Sequence, residues 1–556
     1  MKKLLSLFVV MLLAEGLQAN PLDLQSAQQK AERLLGKETT LVTANNARQQ
    51  TTADDNAYYF FNAKDNCGFA IIAVDDALGE VLGYSHQGHL TDTQALPDAL
   101  KLFLEAYQQY AQLYRQGLVR ATVTKAPARV AGAEPLLKTQ WDQGSPYNSL
   151  CPISNGKNSL TGCVATAIAQ IMKYWNWPVK GSGYGNGTCD GNVVHGTLEH
   201  EYNWDAMLNT TAELNQSGTA ASAVAELMYD CGLAVNMDYS SSSSSAGTPI
   251  KALYSNFGYI PTQLRLHHRS CFDTDAEWLD MLFSEIDQNR PVYYTASSST
   301  NGGKDTAGHA FVIDGYDANS NLHVNWGWGG DVNGYYSVQL MNPKSYQFII
   351  NQDAIIGIEP AKNGETGVPI EYPYMGDAPV CSQKGTISKL TDFGITVSNI
   401  WNHTGSAHEW TVSIGLYDIQ NTLLGDAKKR GGGIGAVKLE PNYGYNGVLG
   451  EITCNLSSKT LANGHYALRV MFKETGSWIL PDMAGGLKNN AVYIEVNGNN
   501  ITFTDGTAYR EASIAAGING INMPSTASAP VFDLQGRRVQ TPGKGIYIIG
   551  GKKVVK

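Results

Sequence analysis

The spacing of apolar residues changes along this chain, and each change marks an element. In "TGCVATAIAQIMKYWNWP" the residues Val164, Ala167, Ile168, Ile171, Met172 and Trp175 recur three and four positions apart. That is the period of one helical face, and Pro178 stops it. "LDLQSAQQKAERLLG" and "ALPDALKLFLEAYQQYAQLYRQG" carry the same period, whereas "YYFFNA" and "GFAIIAVDD" are apolar runs of strand type. Together they predict a small α/β segment from Asn20 to about Arg129. "GHAFVIDGYDANSNLHVNWGWGG" predicts a hairpin, its apolar runs Ala310–Ile313 and Leu322–Trp326 separated by the turn-forming stretch Asp314–Asn321.

After Pro360 the texture shifts. "GVPIEYPYMGDAPV" is a Pro- and Gly-rich junction, followed by the strand-like runs "FGITVSNIWN", "EWTVSIGLYD", "HYALRVMF" and "NAVYIEVNG". Alternating runs broken by Gly and Asn turns predict a β-sandwich. The final stretch, "PVFDLQGRRVQTPGKGIYIIGGKKVVK", is short, strand-rich and basic.

Composition narrows the class. At 556 residues the chain exceeds one ordinary core, so several domains are expected. Only 16% of residues are charged, against 58 Gly and 29 Tyr, the make-up of a turn- and strand-rich exported protein. A net charge of −10 with no internal basic block argues against nucleic acid or an anionic membrane as the main partner. Lys2 and Lys3 precede the apolar run Leu4–Leu13, and Ala19 ends a signal-peptide cleavage site, with Leu17 a departure from its usual small residues. That run is too short to cross a bilayer, and no later one approaches about 20 residues. Of the eight cysteines, Cys151, Cys189, Cys231 and Cys271 accompany Cys163 in the central region. They admit two bridges in three connectivities, or none; Cys381 and Cys454 form a further candidate pair. Cys189, His195, His200, His267 and His268 lack a metal-ligand spacing, so neither a metal nor a cofactor is expected.

Cys163 carries the chemistry. It falls in the first turn of the predicted helix, where roughly half a positive charge favours thiolate over thiol. His309 opens the first strand of the hairpin, and the second strand returns Asn325, Trp326 and Trp328 to the same end. An early Cys followed roughly 130–150 residues later by a His is the papain-like order. Taken singly, Cys163 reads equally well as a buried thiol or half a disulfide, and His309 as a solvated strand-end residue. Gln143 in "WDQGSPYN" is by itself an ordinary polar loop residue. "SSSSSSAG", Ser240 to Gly247, is by composition a flexible loop.

"TGCVATAIAQIMKYWNWP", "GHAFVIDGYD" and "HVNWGWGG" resemble the signature segments of the streptopain family of secreted bacterial cysteine peptidases. The resemblance covers roughly Pro135 to Pro360, and "CGFAIIAVDDALGEVLGYS" is similar to the family's prosegment. The local papain pattern around the cysteine is absent. The resemblance implies Cys163 as nucleophile and His309 as its base. It implies Gln143 and the Cys163 N–H as oxyanion donors, with Asn325 or Trp326 orienting the imidazole. It further implies Ser245 and Gly308 as substrate contacts, Trp328 beside them, and a hydrophobic preference two residues before the cut. The last 30 or so residues resemble the sorting domain of type IX secretion substrates in Bacteroidetes.

The expected fold class is therefore α+β: a papain-like cysteine peptidase domain preceded by a small α/β prodomain and followed by a β-sandwich and a short β-rich sorting domain. The expected divisions are 1–19 signal peptide, 20–129 inhibitory propeptide, 130–360 peptidase, 361–500 sandwich and 501–556 sorting domain. The expected partners are protein or peptide substrates, the chain's own propeptide and secretion machinery, with a secreted or cell-surface location and no membrane span. Zymogen cleavage is expected within Val123–Glu134, near Lys125 or Arg129. An adhesin using a peptidase-shaped domain, and a Cys–His transferase or amidase, are the competing classes.

Overall fold

The computed structural model describes residues 22–42, 57–75, 78–90, 96–118, 131–242, 244–247, 249–300, 305–337, 349–369, 371–441, 443–516, 531–532, 546–549 and 552–555. The expected signal peptide, both basic residues of the maturation linker, and most of the expected sorting domain lie outside them.

A ten-stranded sheet runs through the N-terminal two thirds of the chain. Its first four strands come from the N-terminal segment: Thr39–Leu41, Tyr58–Ala63, Phe69–Ala73 and Val81–Ser85. Val81–Ser85 then pairs with Gly334–Tyr336, in the register Tyr335↔Tyr84 and Tyr336↔Gly83, so the prodomain and the central domain share one sheet. The order continues through Leu322–Asn325, Asp305–Tyr316, Val292–Thr300, Ile349–Ile356 and Arg265–His268.

Each face of this sheet is covered, because alternate strand residues point opposite ways. Tyr294, Phe311 and Ile313 face one core with Phe103, Leu104 and Tyr107 of the N-terminal helix Asp98–Arg115. Tyr293, Ala310 and Val312 face the other, beneath the central helix Cys163–Trp175 and the helix Gly218–Ala234. Every residue of the central helix from Val164 to Met172 is buried, more than the predicted stripe. It is a core helix wrapped on all sides, and each fully buried Ile or Met contributes about 1.5–3 kcal/mol.

The C-terminal third forms two further sheets around one core that includes Ile395, Val397, Trp410, Ile414, Val470 and Ile494. Asn500–Thr504 pairs with Val492–Asn497, and the helix Thr507–Ala515 packs on Gly464–Lys473. A boundary at residue 500 would cut that hairpin; the packed unit includes it and the helix Thr507–Ala515. This unit is docked against the central domain. Arg265 pairs with Asp482 at 2.8 Å and lies 3.8 Å over the Tyr372 ring, while Gly485 N–H donates to the Ser270 carbonyl at 2.6 Å. All eight cysteines are free thiols, so the bridges considered from sequence are absent.

Candidate active site

The central helix starts abruptly because Gly162 precedes it with φ 86° and ψ 143°, a backbone setting that residues with a Cβ rarely adopt. A Cβ there would also sit 2.6 Å from Met237 Cε. The Gly162 carbonyl accepts from the N–H and the hydroxyl of Thr166, both at 3.0 Å, and Thr161 Oγ1 meets Thr166 Oγ1 at 2.9 Å. This fixes where Cys163 projects. Gly162→Ala is expected to destabilise the protein by about 1–3 kcal/mol and to slow Cys163 alkylation. Thermal melting and alkylation rates equal to wild type would contradict this account of the turn.

The Cys163 thiol, half-buried, is hydrogen-bonded to His309. Burial alone would push the thiol pKa up. The charge and hydrogen bond of His309, with the backbone N–H groups of Ala310 and Val164, outweigh burial and hold it below the ordinary thiol value. His309 is buried inside the strand Asp305–Tyr316 rather than at its opening, because the pairing with Val292–Thr300 runs on past it, and its Nε2 lies 3.2 Å from the Trp326 carbonyl. A carbonyl only accepts, so Nε2 carries a hydrogen and Nδ1 is the nitrogen left to face the thiol. The Trp328 indole meets the imidazole edge-on, ring centroids 6.2 Å apart.

The two residues expected to compete for the imidazole separate cleanly. Trp326 reaches it through its main chain, while its indole packs on Phe311 and Tyr336 in the core. Asn325 is turned elsewhere: its amide donates to the Thr139 carbonyl at 2.7 Å, and its oxygen accepts from Gln170 and from Gly327 N–H, both at 3.1 Å. It therefore braces the loop carrying Trp326 and Trp328 rather than the ring itself. Gln170, which sequence reasoning passed over, is the hub, because its oxygen also accepts from Thr139 Oγ1 and Trp141 N–H. Its signal was a polar residue four positions after Thr166 on an otherwise apolar helix.

Gln143, Cys163, Ser245, Gly308, His309 and Trp328 all line one cleft of about 490 Å³. Gln143 is buried, its carbonyl accepts from Thr161 N–H at 3.1 Å, and its carboxamide has no protein partner among the described residues. The serine stretch is better tied than its composition suggests. Asp238 and Ser245 exchange main-chain hydrogen bonds of 2.8 and 3.0 Å, and the Ser244 hydroxyl donates to the Leu160 carbonyl at 2.8 Å.

A half-buried thiol at a helix start, an imidazole fixed from behind by a carbonyl, and a bordering cleft define the cysteine-peptidase class. Comparison with known proteins agrees. The model of the peptidase C10 family matches residues 141–336, and that of the Spi protease inhibitor matches residues 19–111. Over 337 residues the chain is 33% identical to streptopain of Streptococcus pyogenes, covering 54% of this chain and 80% of streptopain. It is 32% identical over 400 residues to the thiol protease/hemagglutinin PrtT of Porphyromonas gingivalis, covering 65% of this chain but only 45% of that protein. Among solved structures it is similar to a prointerpain A fragment of Prevotella intermedia, with 30% identity, 58% of this chain and 99% of that one covered, and a TM-score of 0.47. The chain belongs to the peptidase C10, or streptopain, family of cysteine peptidases, with a papain-like domain behind an inhibitor-like prodomain. Among the described residues, no helix is long and apolar enough to cross a membrane.

Proposed function

We propose that this protein is an exported cysteine endopeptidase, made as a zymogen, that hydrolyses extracellular or host proteins through Cys163 and His309. The observation that carries this reading is the Cys163 thiol hydrogen-bonded to an imidazole whose far nitrogen is held by the Trp326 carbonyl. In the acylation step the thiolate forms a C–S bond to the scissile carbonyl. The C–N bond then breaks as His309 passes its proton to the leaving amine. Water attacks the thioester, gives a proton to His309 and releases the acid, restoring the dyad. The Cys163 N–H and the Gln143 carboxamide stabilise the oxyanion in both halves.

Trp326 orients the imidazole through its carbonyl, Trp328 shields it from water, and Ser245 and Gly308 contact substrate, with a hydrophobic residue favoured two positions before the cut. The N-terminal segment acts as the inhibitor until cleavage near Lys125 or Arg129. The C-terminal stretch is an address for secretion machinery, which places the protein outside the cell or on its surface. The two C-terminal sheets are read as a β-sandwich.

Casein digestion by the secreted protein tests the reading. Digestion is expected, with complete loss after treatment with a thiol alkylator. Acyl transfer to an added amine without proteolysis would favour a transferase instead. PrtT is named a thiol protease/hemagglutinin, so cell binding that survives Cys163→Ala would add an adhesive role.

A further inference from the structure

The cleft that holds Cys163 extends beyond the central domain. Its floor includes a row of residues paired across four neighbouring strands: Ala310↔Thr295, Thr295↔Asp353 and Asp353↔His268. Ala310 stands at the near end, where its N–H reaches the Cys163 sulfur. At strand spacings of about 4.7–4.9 Å, the row carries the floor roughly 14 Å from there to His268. Leu266 and Tyr293 line the same stretch. The wall at the far end is His403, which belongs to the C-terminal unit.

His403 is held as a built part of a site. It lies in the turn between the strands Phe393–Trp401 and His408–Tyr417, which belong to different sheets. The fully buried Asn402 ties that turn: its amide donates to the Ser406 and Leu439 carbonyls, and its oxygen accepts from the Thr404 N–H and hydroxyl. Tyr374 stacks on the His403 ring with centroids 4.9 Å apart.

A hydrogen-bond chain links His403 to Asp353 through His268. Asp353 Oδ1 lies 2.7 Å from His268 Nδ1, and His268 Nε2 lies 3.2 Å from His403 Nδ1. Burial would lower the His268 pKa, but the charge and hydrogen bond of Asp353 outweigh it and raise it. Burial, and then the charge of His268, push His403 down to about 4. A carboxylate only accepts, so His268 Nδ1 donates to Asp353, and in the protonated form that Asp353 favours His268 donates from Nε2 to His403 Nδ1 as well. In that form of the pair His403 is neutral with its hydrogen on Nε2, and among the described residues that N–H has no protein partner.

We propose that His403 is a specificity-determining residue of the peptidase: the C-terminal unit closes the far end of the substrate cleft and offers one N–H donor there. At the substrate position whose side chain reaches this end of the cleft it selects one ending in a hydrogen-bond acceptor such as an amide, and it disfavours one ending in an ammonium. This rests on the peptidase reading above and assigns the C-terminal unit a part in the substrate site that a spacer would lack.

The test uses the full secreted chain and a peptide library in which Gln, the near-isosteric Met and Lys are exchanged at each position around one scissile bond. Wild type is expected to prefer Gln to Met at one position by roughly 3- to 10-fold, the worth of one net hydrogen bond, and to select against Lys there. His403→Phe keeps a ring in place without the donor. It should bring the Gln-to-Met ratio to about one. The rate of Cys163 alkylation reports that the variant is folded, and His403→Leu replaces it if it is not. A wild-type ratio near one at every position, or a ratio unchanged in the variant, overturns the proposal and leaves the peptidase reading intact. Wild-type protein that cleaves no peptide and is not alkylated at Cys163 overturns both.

Discussion

Replacing Cys163 with alanine is expected to lower peptide-bond hydrolysis by a factor on the order of 10⁶, to background, with the fold preserved. Among the described residues lining the cleft, the thiol is the nucleophile that faces an imidazole, and in the proposed mechanism its loss leaves His309 and Gln143 with no acyl bond to assist. Preservation of the fold follows from the surroundings. Helix geometry at this position is set by Gly162, Thr161 and Thr166, none of which bonds to the sulfur. Casein hydrolysis and the melting temperature measure the two halves of the expectation. The same variant examines maturation: if the zymogen processes itself, wild type loses its N-terminal segment and Cys163→Ala stays full length. A mutant that digests casein would sink the assignment of the nucleophile. One that is inactive yet still matures alone would exclude self-processing.

His309→Ala should be nearly as damaging to hydrolysis, and it carries a second signature in pH. In the native protein burial raises the thiol pKa, and the imidazole, with two backbone N–H groups, more than compensates. With the imidazole gone, burial is opposed by the two N–H groups alone. The half-maximal pH for Cys163 alkylation must then move up, from below the ordinary thiol value toward or above it. At neutral pH the thiolate fraction falls about tenfold for each unit by which the pKa exceeds 7. Alkylation rates from pH 5 to 10 check this directly. A profile that stays in place, or moves down, would mean that the imidazole does not hold the thiolate.

What could be read from the sequence was whatever has a local signature. The central helix announces itself by its period and by Pro178, and the hairpin that carries His309 by two apolar runs around Asp314–Asn321. Cys163 and His309 followed from order and from the family resemblance. A main-chain group has no letter of its own. That is why Asn325 and Trp326 were indistinguishable, although of these two the structure brings Trp326, by its carbonyl, to the imidazole. Long-range pairing is equally silent. Nothing in "EVLGYS" says that it lies beside Gly334–Tyr336, since a strand's partner is chosen by packing in the whole fold. Composition misled at Ser240–Gly247, where a low-complexity run is held by Asp238 and Leu160. His403 was invisible for a related reason: a lone histidine in a turn acquires meaning only from His268 and Asp353, which are distant in sequence.

The strand Val81–Ser85 does more than join two regions of the chain. It satisfies the backbone of Gly334–Tyr336, and next to it the Ser337 N–H and hydroxyl donate to the Leu82 and Val81 carbonyls at 3.0 and 2.9 Å. Tyr84 stacks on Tyr335 at 5.3 Å and donates to Asp317 at 2.9 Å. Any form of the protein that sheds this strand is left with a raw edge of unpaired amides and carbonyls beside exposed aromatic surface, a template for another strand. Loss of the N-terminal segment would trade an internal partner for an external liability. A peptidase freed in this way would present that edge to water, to a new neighbour, to the severed piece or to another copy of itself.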